Sequence, residues 1–170
     1  FRDRLWIMGG TEDFTNDNQA TLKNDVWSSE NGIDWELITP HAAWSPRRDA
    51  SLVVFQDKLW LMAGGSWHPE TVPLNDVWCS SDGQHWELVT PSAPWAPRLW
   101  SSLVVYREHL WFFGGWSRKA GDFNDVWFSA DGKNWTVYQS EVIWSPRHAQ
   151  AAYVLNDRIY AAGGHAKPLT

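Results

Sequence analysis

One cysteine in 170 residues, Cys79, excludes an internal disulfide. A lone thiol is compatible with either redox compartment, so the cellular location stays open. Basic residues are thin as well, 14 against 20 acidic ones for a formal net charge of −6. No Lys/Arg cluster supplies the basic stripe that a nucleic-acid partner needs. Missing too is any run of the roughly 18–20 apolar residues that crosses a bilayer as a helix. Neither nucleic acid nor a membrane is therefore an expected partner. No segment carries a helix-length 3.6-residue apolar period. What is present is a globular level of hydrophobic residues, 44%, and 15 tryptophans.

The tryptophans recur in register. Asn-Asp-Val-Trp stands at 24–27, 75–78 and 124–127; a second tryptophan follows at Trp35, Trp86 and Trp135; and Trp-Ser/Ala-Pro-Arg stands at 44–47, 95–98 and 144–147. All three markers are spaced by 51 and then 49 residues. Paired glycines close an apolar run at 9/10, 64/65, 114/115 and 163/164, with extra residues between Gly10 and Asn24 read as a loop. Within each period, runs such as "SLVVF" and "LWLMAGG" flank a polar tight turn, and "NDVWCSS" and "HWELV" flank Asp-Gly, a hairpin signal because glycine reaches positive φ without strain. Four antiparallel strands per roughly 50 residues predict propeller blades, which bury their faces only by stacking on one another.

The order of Arg, apolar strand, Leu-Trp-x-x-Gly-Gly, Asn-Asp-Val-Trp, Trp and Pro-Arg resembles the kelch repeat along essentially the whole chain. "SSDGQHW" and "SADGKNW" also resemble the Asp-box turn of sialidase-type propellers, and the first copy, "SSENGIDW", reads as one residue longer. The resemblance implies an all-β kelch-type propeller segment of about three and a quarter blades. It divides into a partial blade over 1–39, full blades over 47–90 and 98–139, and a partial blade over 147–164. "FRDRLW" aligns with "FQDKLW", "YREHLW" and "LNDRIY", so residue 1 falls at the end of an innermost strand. The ring is expected to be completed by the remainder of a longer chain or by a second copy.

Copies within one chain separate architecture from function, because what every blade carries serves what every blade shares. Trp27, Trp78, Trp127, Trp35, Trp86 and Trp135 read as inter-blade core, and Asp25, Asp76 and Asp125 as structural acceptors. Arg47, Arg98 and Arg147 have two readings: a salt bridge to the neighbouring Asp, or a ring of ligand-binding donors around the axis. Trp44, Trp95 and Trp144 either wedge between blades or form an exposed rim.

Residues that differ between blades on the loop face are the better ligand candidates. These lie on the loops "TEDFTNDNQATLK", "SWHPETVPL" and "WSRKAGDF" and just after Pro-Arg. They are Trp67, His68, Trp116, Arg118, Arg48, Trp100 and His148, and together they offer aromatic platforms beside cationic donors for a glycan, an acidic sugar or an acidic peptide. No catalytic residue, cofactor or metal is expected: His68 and His148 stand in no metal-ligand spacing. Tyr106, Tyr138, Tyr153 and Tyr160 lie at or near strand positions and do not assemble the Tyr-Tyr-His-His site that a galactose-oxidase likeness implies. The expected function is a binding module for a protein segment or glycan. The alternative is a fragment of a carbohydrate-active enzyme, of sialic-acid mutarotase-like or glycosidase type.

Overall fold

The computed structural model describes residues 1–15, 20–140 and 144–166. Asn16 to Gln19, inside the first candidate loop, lie outside the described residues. Every regular element described is a β-strand. The first sheet is an antiparallel meander of β1 (Leu5–Thr11), β2 (Leu22–Ser29) and β3 (Glu36–Thr39). The second orders β4 (Ser51–Phe55), β5 (Lys58–Met62), β8 (Val77–Ser80) and β9 (Glu87–Thr90), with the small pair β6 (Gly65–Ser66) and β7 (Val72–Pro73) inserted in its loop. The third orders β10 (Ser102–Tyr106), β11 (His109–Phe113), β14 (Val126–Ser129) and β15 (Thr136–Tyr138), with β12 (Trp116–Ser117) and β13 (Gly121–Asp122) inserted likewise. The last pairs β16 (Ala151–Leu155) with β17 (Arg158–Ala162). The innermost strands lie side by side, β4 beside β10 and β10 beside β16.

Turn chemistry explains the register. The tight turns joining the two inner strands of a sheet hold both central residues at positive φ, as a hairpin of this twist requires. They are Gln56-Asp57, Arg107-Glu108, Asn156-Asp157 and, before β1, Arg2-Asp3. In the outer turns a serine hydroxyl and an Asx side chain accept from successive backbone N–H groups: Ser80 and Asp82, Ser129 and Asp131, Ser29 and Asn31. Asn31 thus stands where the other copies have Asp, and the first turn is not longer after all, because Gly32, Gly83 and Gly132 fall at one equivalent position. The glycine pairs need a similar correction. Gly10, Gly64 and Gly115 each donate to the carbonyl of a Pro-Arg arginine, at 2.8, 3.0 and 3.0 Å, so Ala63-Gly64 is the counterpart of Gly9-Gly10 and Gly114-Gly115. Ala63 occupies the left-handed region, φ 59°, where its counterparts are glycine.

The core lies between sheets. Val26, Trp44 and Leu61 bury one cluster between the first and second sheets, with Trp78 and Trp86 packed on it. Trp60, Met62, Trp95, Leu110 and Phe112 bury another between the second and third, with Trp127 and Trp135 packed on it. Trp44 meets Trp86 edge-on at 5.9 Å, and Trp95 meets Trp135 edge-on at 4.5 Å. Trp44 and Trp95 are 1% and 2% exposed, which makes them wedges and not a rim.

Candidate functional site

The recurring arginines fasten one blade to the next. Arg47 donates from Nη1 and Nη2 to both carboxylate oxygens of Asp76, at 2.6 and 2.8 Å. Its remaining N–H groups go to Ser45 and to the Ala63 carbonyl, so all five donors are engaged. Arg98 grips Asp125 in the same bidentate way and donates to the carbonyls of Ala96 and Gly114. Both guanidinium groups are buried, 1% and 0% exposed. The ligand-donor reading of Arg47 and Arg98 is therefore corrected: no accessible N–H of either faces a ligand. Burial pushes the carboxyls of Asp76 and Asp125 up, but hydrogen bonds and charge from Arg47 and Arg98, with the indole N–H of Trp78 and Trp127, outweigh it and hold both below the ordinary carboxylate range.

Arg147 keeps the bond to the Gly163 carbonyl, 2.9 Å, and is only partly buried. Among the described residues it has no carboxylate within ion-pair distance. It lines a groove of about 820 Å³ with Trp111, Tyr138 and Trp144. That groove lies where the third sheet faces the two-stranded last one.

The variable residues behave differently. Trp67, from the β6–β7 loop, lies with its ring centroid 5.0 Å from Trp100 and 4.9 Å from Trp116, and Trp100 and Trp116 are 6.0 Å apart. All three are half-buried. His68 meets the Trp67 ring edge-on at 5.7 Å. Arg118, exposed, lies 5.9 Å from the Trp67 centroid and bonds the Thr71 hydroxyl. His148 lies 5.2 Å from Trp100 and 6.5 Å from Trp116. Six of the seven variable candidates thus form one cluster spanning the second, third and last sheets. Arg48 is the exception: it is buried, pairs with Asp49, and covers the Phe14 ring at 4.4 Å.

Backbone geometry holds the cluster in place. Leu99 and Trp116 exchange backbone hydrogen bonds, as do Arg48 with Gly65 and His148 with His165. The next residue, Asp49, Trp100 or Ala149, sits at φ 58°, 55° or 54°. Asp tolerates that left-handed position through its short polar side chain; a bulky tryptophan does so at a cost in strain. Trp100 is presented from a backbone position that the fold supplies whatever the side chain.

Two residues escaped the sequence reading. Asp122 accepts from His148 Nδ1 at 2.6 Å, and His165 completes a group of three whose ligand atoms all lie within 4.8 Å of one another. The signal was a triple departure from the repeat. Bridges and loop hydrogen bonds make Asp122, His148 and His165 the counterparts of Pro73, Leu99 and Trp116, and of Leu22, Arg48 and Gly65. Three ligating side chains replace non-ligating ones at one junction only.

Four-stranded antiparallel sheets, stacked through tryptophans and tied by arginine–aspartate clamps, with variable loops gathered on one face, define a kelch-type β-propeller segment. The chain belongs to the kelch-repeat family: a sequence model of the KLHDC2/KLHL20/DRC7 Kelch-repeats domain matches residues 1–164. No curated protein matches it. Membership makes it a protein-interaction propeller module in general terms.

Proposed function

We propose that the tryptophan cluster on the loop face captures an extended acidic protein segment, with Trp67, Trp100 and Trp116 as stacking surfaces and Arg118 as the charged donor. The carrying observation is the mutual approach of three half-buried indoles from three separate chain segments, 4.9–6.0 Å between centroids. None of them recurs at its position in the other blades, so blade packing does not require them. Large amphipathic rings beside arginine are the composition of interface anchors. A glycan is the second reading, favoured by the same ring faces. The hydrolase alternative would need two carboxyl groups about 5–10 Å apart, whereas the titratable pair in the cluster is one carboxylate bonded to an imidazole, Asp122 and His148.

The test is an array of acidic peptides read beside a glycan array, with the native protein and a Trp67→Ala/Trp116→Ala variant. Peptide binding lost in the variant supports the assignment; peptide binding unchanged in it overturns the cluster as the site. Glycan binding alone, abolished by the variant, would transfer the site to the second reading.

The blade divisions at 1–39, 47–90, 98–139 and 147–164 belong to the same proposal, as does completion of the ring by further blades of a longer chain or by a second copy. Among the described residues Asp25 has no cation and Arg147 no carboxylate, although their counterparts Asp76 and Arg98 are clamped. Each is one half of a clamp whose other half is not among the described residues. Mass measurement in solution separates the sources: a monodisperse dimer rejects the longer-chain source, and a soluble monomer counts against the second copy.

A further inference from the structure

We propose that Asp122, His148 and His165 bind one first-row transition-metal dication of the zinc class, with coordination positions open toward the loop face. The proposal stands independently of the peptide reading. Two imidazoles and one carboxylate suit zinc, copper, nickel or cobalt far better than magnesium or calcium, which prefer sets of oxygen ligands. Three protein ligands also leave room for a water or for a donor from a bound partner.

The three groups come from three fixed places. Asp122 lies on β13, paired with Trp116 of β12, and its side chain is 6% exposed. His148 and His165 face each other across a reciprocal backbone bridge, N–O 3.0 and 2.9 Å, with ring centroids 5.0 Å apart. Zinc held at about 2.0–2.1 Å keeps its donors about 3.3 Å apart. The proton shared by Asp122 and His148 Nδ1, now 2.6 Å apart, therefore leaves on binding and that pair opens, while the widest separation, within 4.8 Å, closes. The exposed ring of His165 is the one positioned to close that gap by rotating, since it is not packed in the core. Trp100 and Trp116 border His148 and lower the local dielectric, which strengthens a charged ligand set. The internal control points the same way: the two equivalent junctions, Leu22/Arg48/Gly65 and Pro73/Leu99/Trp116, have no comparable set. Architecture therefore does not explain these three residues appearing together.

The experiment titrates the native protein with ZnCl2 by calorimetry and with CoCl2 by visible absorption and tryptophan emission. One ion per chain is expected, with cobalt d–d bands and partial quenching of emission from Trp100 and Trp116, and no heat from MgCl2. His165→Ala and Asp122→Asn should each weaken zinc by at least about tenfold with the circular dichroism unchanged. His85→Ala should leave binding intact, since His85 pairs with Asp82 on an exposed turn elsewhere. The proposal is overturned by the absence of saturable zinc binding to folded protein. It is equally overturned if zinc binding survives both site substitutions or disappears with His85→Ala.

Discussion

Gly32, Gly83 and Gly132 occupy the same turn in three sheets, at φ 76°, 79° and 70°, but they face different surroundings. A Cβ at Gly132 would lie 2.5 Å from Trp60 Cη2 and nearer still to Cζ3. At Gly83 it would lie 2.7 Å from Trp6 Cη2, whereas at Gly32 it meets only Leu5 Cδ1, at 3.3 Å. Substitution by alanine therefore imposes one common backbone cost and a variable packing cost. The left-handed conformation costs an alanine about 1–2 kcal/mol, offset by about 0.4–1 from the stiffer unfolded chain, which leaves roughly 1 kcal/mol at all three sites. Displacing a ring from a close-packed core adds about 1–3 kcal/mol. It applies fully at Gly132, because Trp60 is 4% exposed, and partly at Gly83, because Trp6 is only half-buried.

Stability should fall in the order Gly32→Ala, Gly83→Ala, Gly132→Ala. At about 2–4 °C per kcal/mol for a chain of this size, the melting temperature drops by about 2–4 °C for the first and roughly 5–15 °C for the last. Calorimetric scans of the three variants measure it, and Trp60→Phe supplies the coupling arm. A phenyl ring lacks the outer indole atoms that Cβ strikes, so Gly132→Ala should cost less in that background. Equal drops at the three glycines, with no coupling to Trp60, would refute the claim that the turns of the second and third sheets seat on the tryptophan of the preceding sheet.

The clamps give a second contrast: Asp125→Asn strands the buried Arg98 guanidinium and should cost about 3 kcal/mol in urea unfolding, while Asp25→Asn, with no described cation partner, should cost clearly less. In acid, Asp76 and Asp125 have folded pKa values below the ordinary 3.8, and Asp131, despite some desolvation, is held down to about 2 by the N–H groups and side chain of its own turn. Depressed carboxyls contribute stability that is fully present above about pH 4 and is lost as pH falls toward 2; thermal scans across that window should show the loss, with a shallower slope in Asp125→Asn. Cys79 is 2% exposed, and burial pushes its thiol up, so a thiol reagent at neutral pH should label it only after denaturant is added.

Much of this molecule was readable from its repeats because propeller physics is itself periodic. A blade cannot bury its own faces, so each copy must carry the same wedge tryptophan, turn and clamp, and recurrence at 51 and 49 residues exposes them. The errors arose where letters were matched in place of backbone roles. Gly64-Gly65 looks like Gly114-Gly115, but the hydrogen bonds to Arg98 and Arg147 align Ala63-Gly64 with it, because a left-handed position can be filled by alanine when neighbouring bonds hold it. The same mismatch lengthened the first outer turn on paper, though Asn31 makes the bonds that Asp82 makes.

The candidate site was half legible for a related reason. Departure from the repeat identified Trp67, Trp100, Trp116 and His148 as side chains that packing does not demand, and those four do converge. It could not distinguish Arg48, equally variable, whose guanidinium is taken up by Asp49 and Phe14. Variation says that a position is released from the common fold but not which way its side chain points. Asp122 and His165 show the converse. Each alone is an unremarkable loop residue, and their significance comes from equivalence across a junction, where the end of one sheet, the loop into the next and the end of its second strand meet. Such a junction joins positions 17 and 26 residues from His148, a spacing without meaning in a linear motif. It acquires meaning once backbone bridges show that every blade repeats the same meeting point with different side chains. Function in this fold is therefore written as differences between superposed junctions, and the chemistry concentrates where several of those differences coincide.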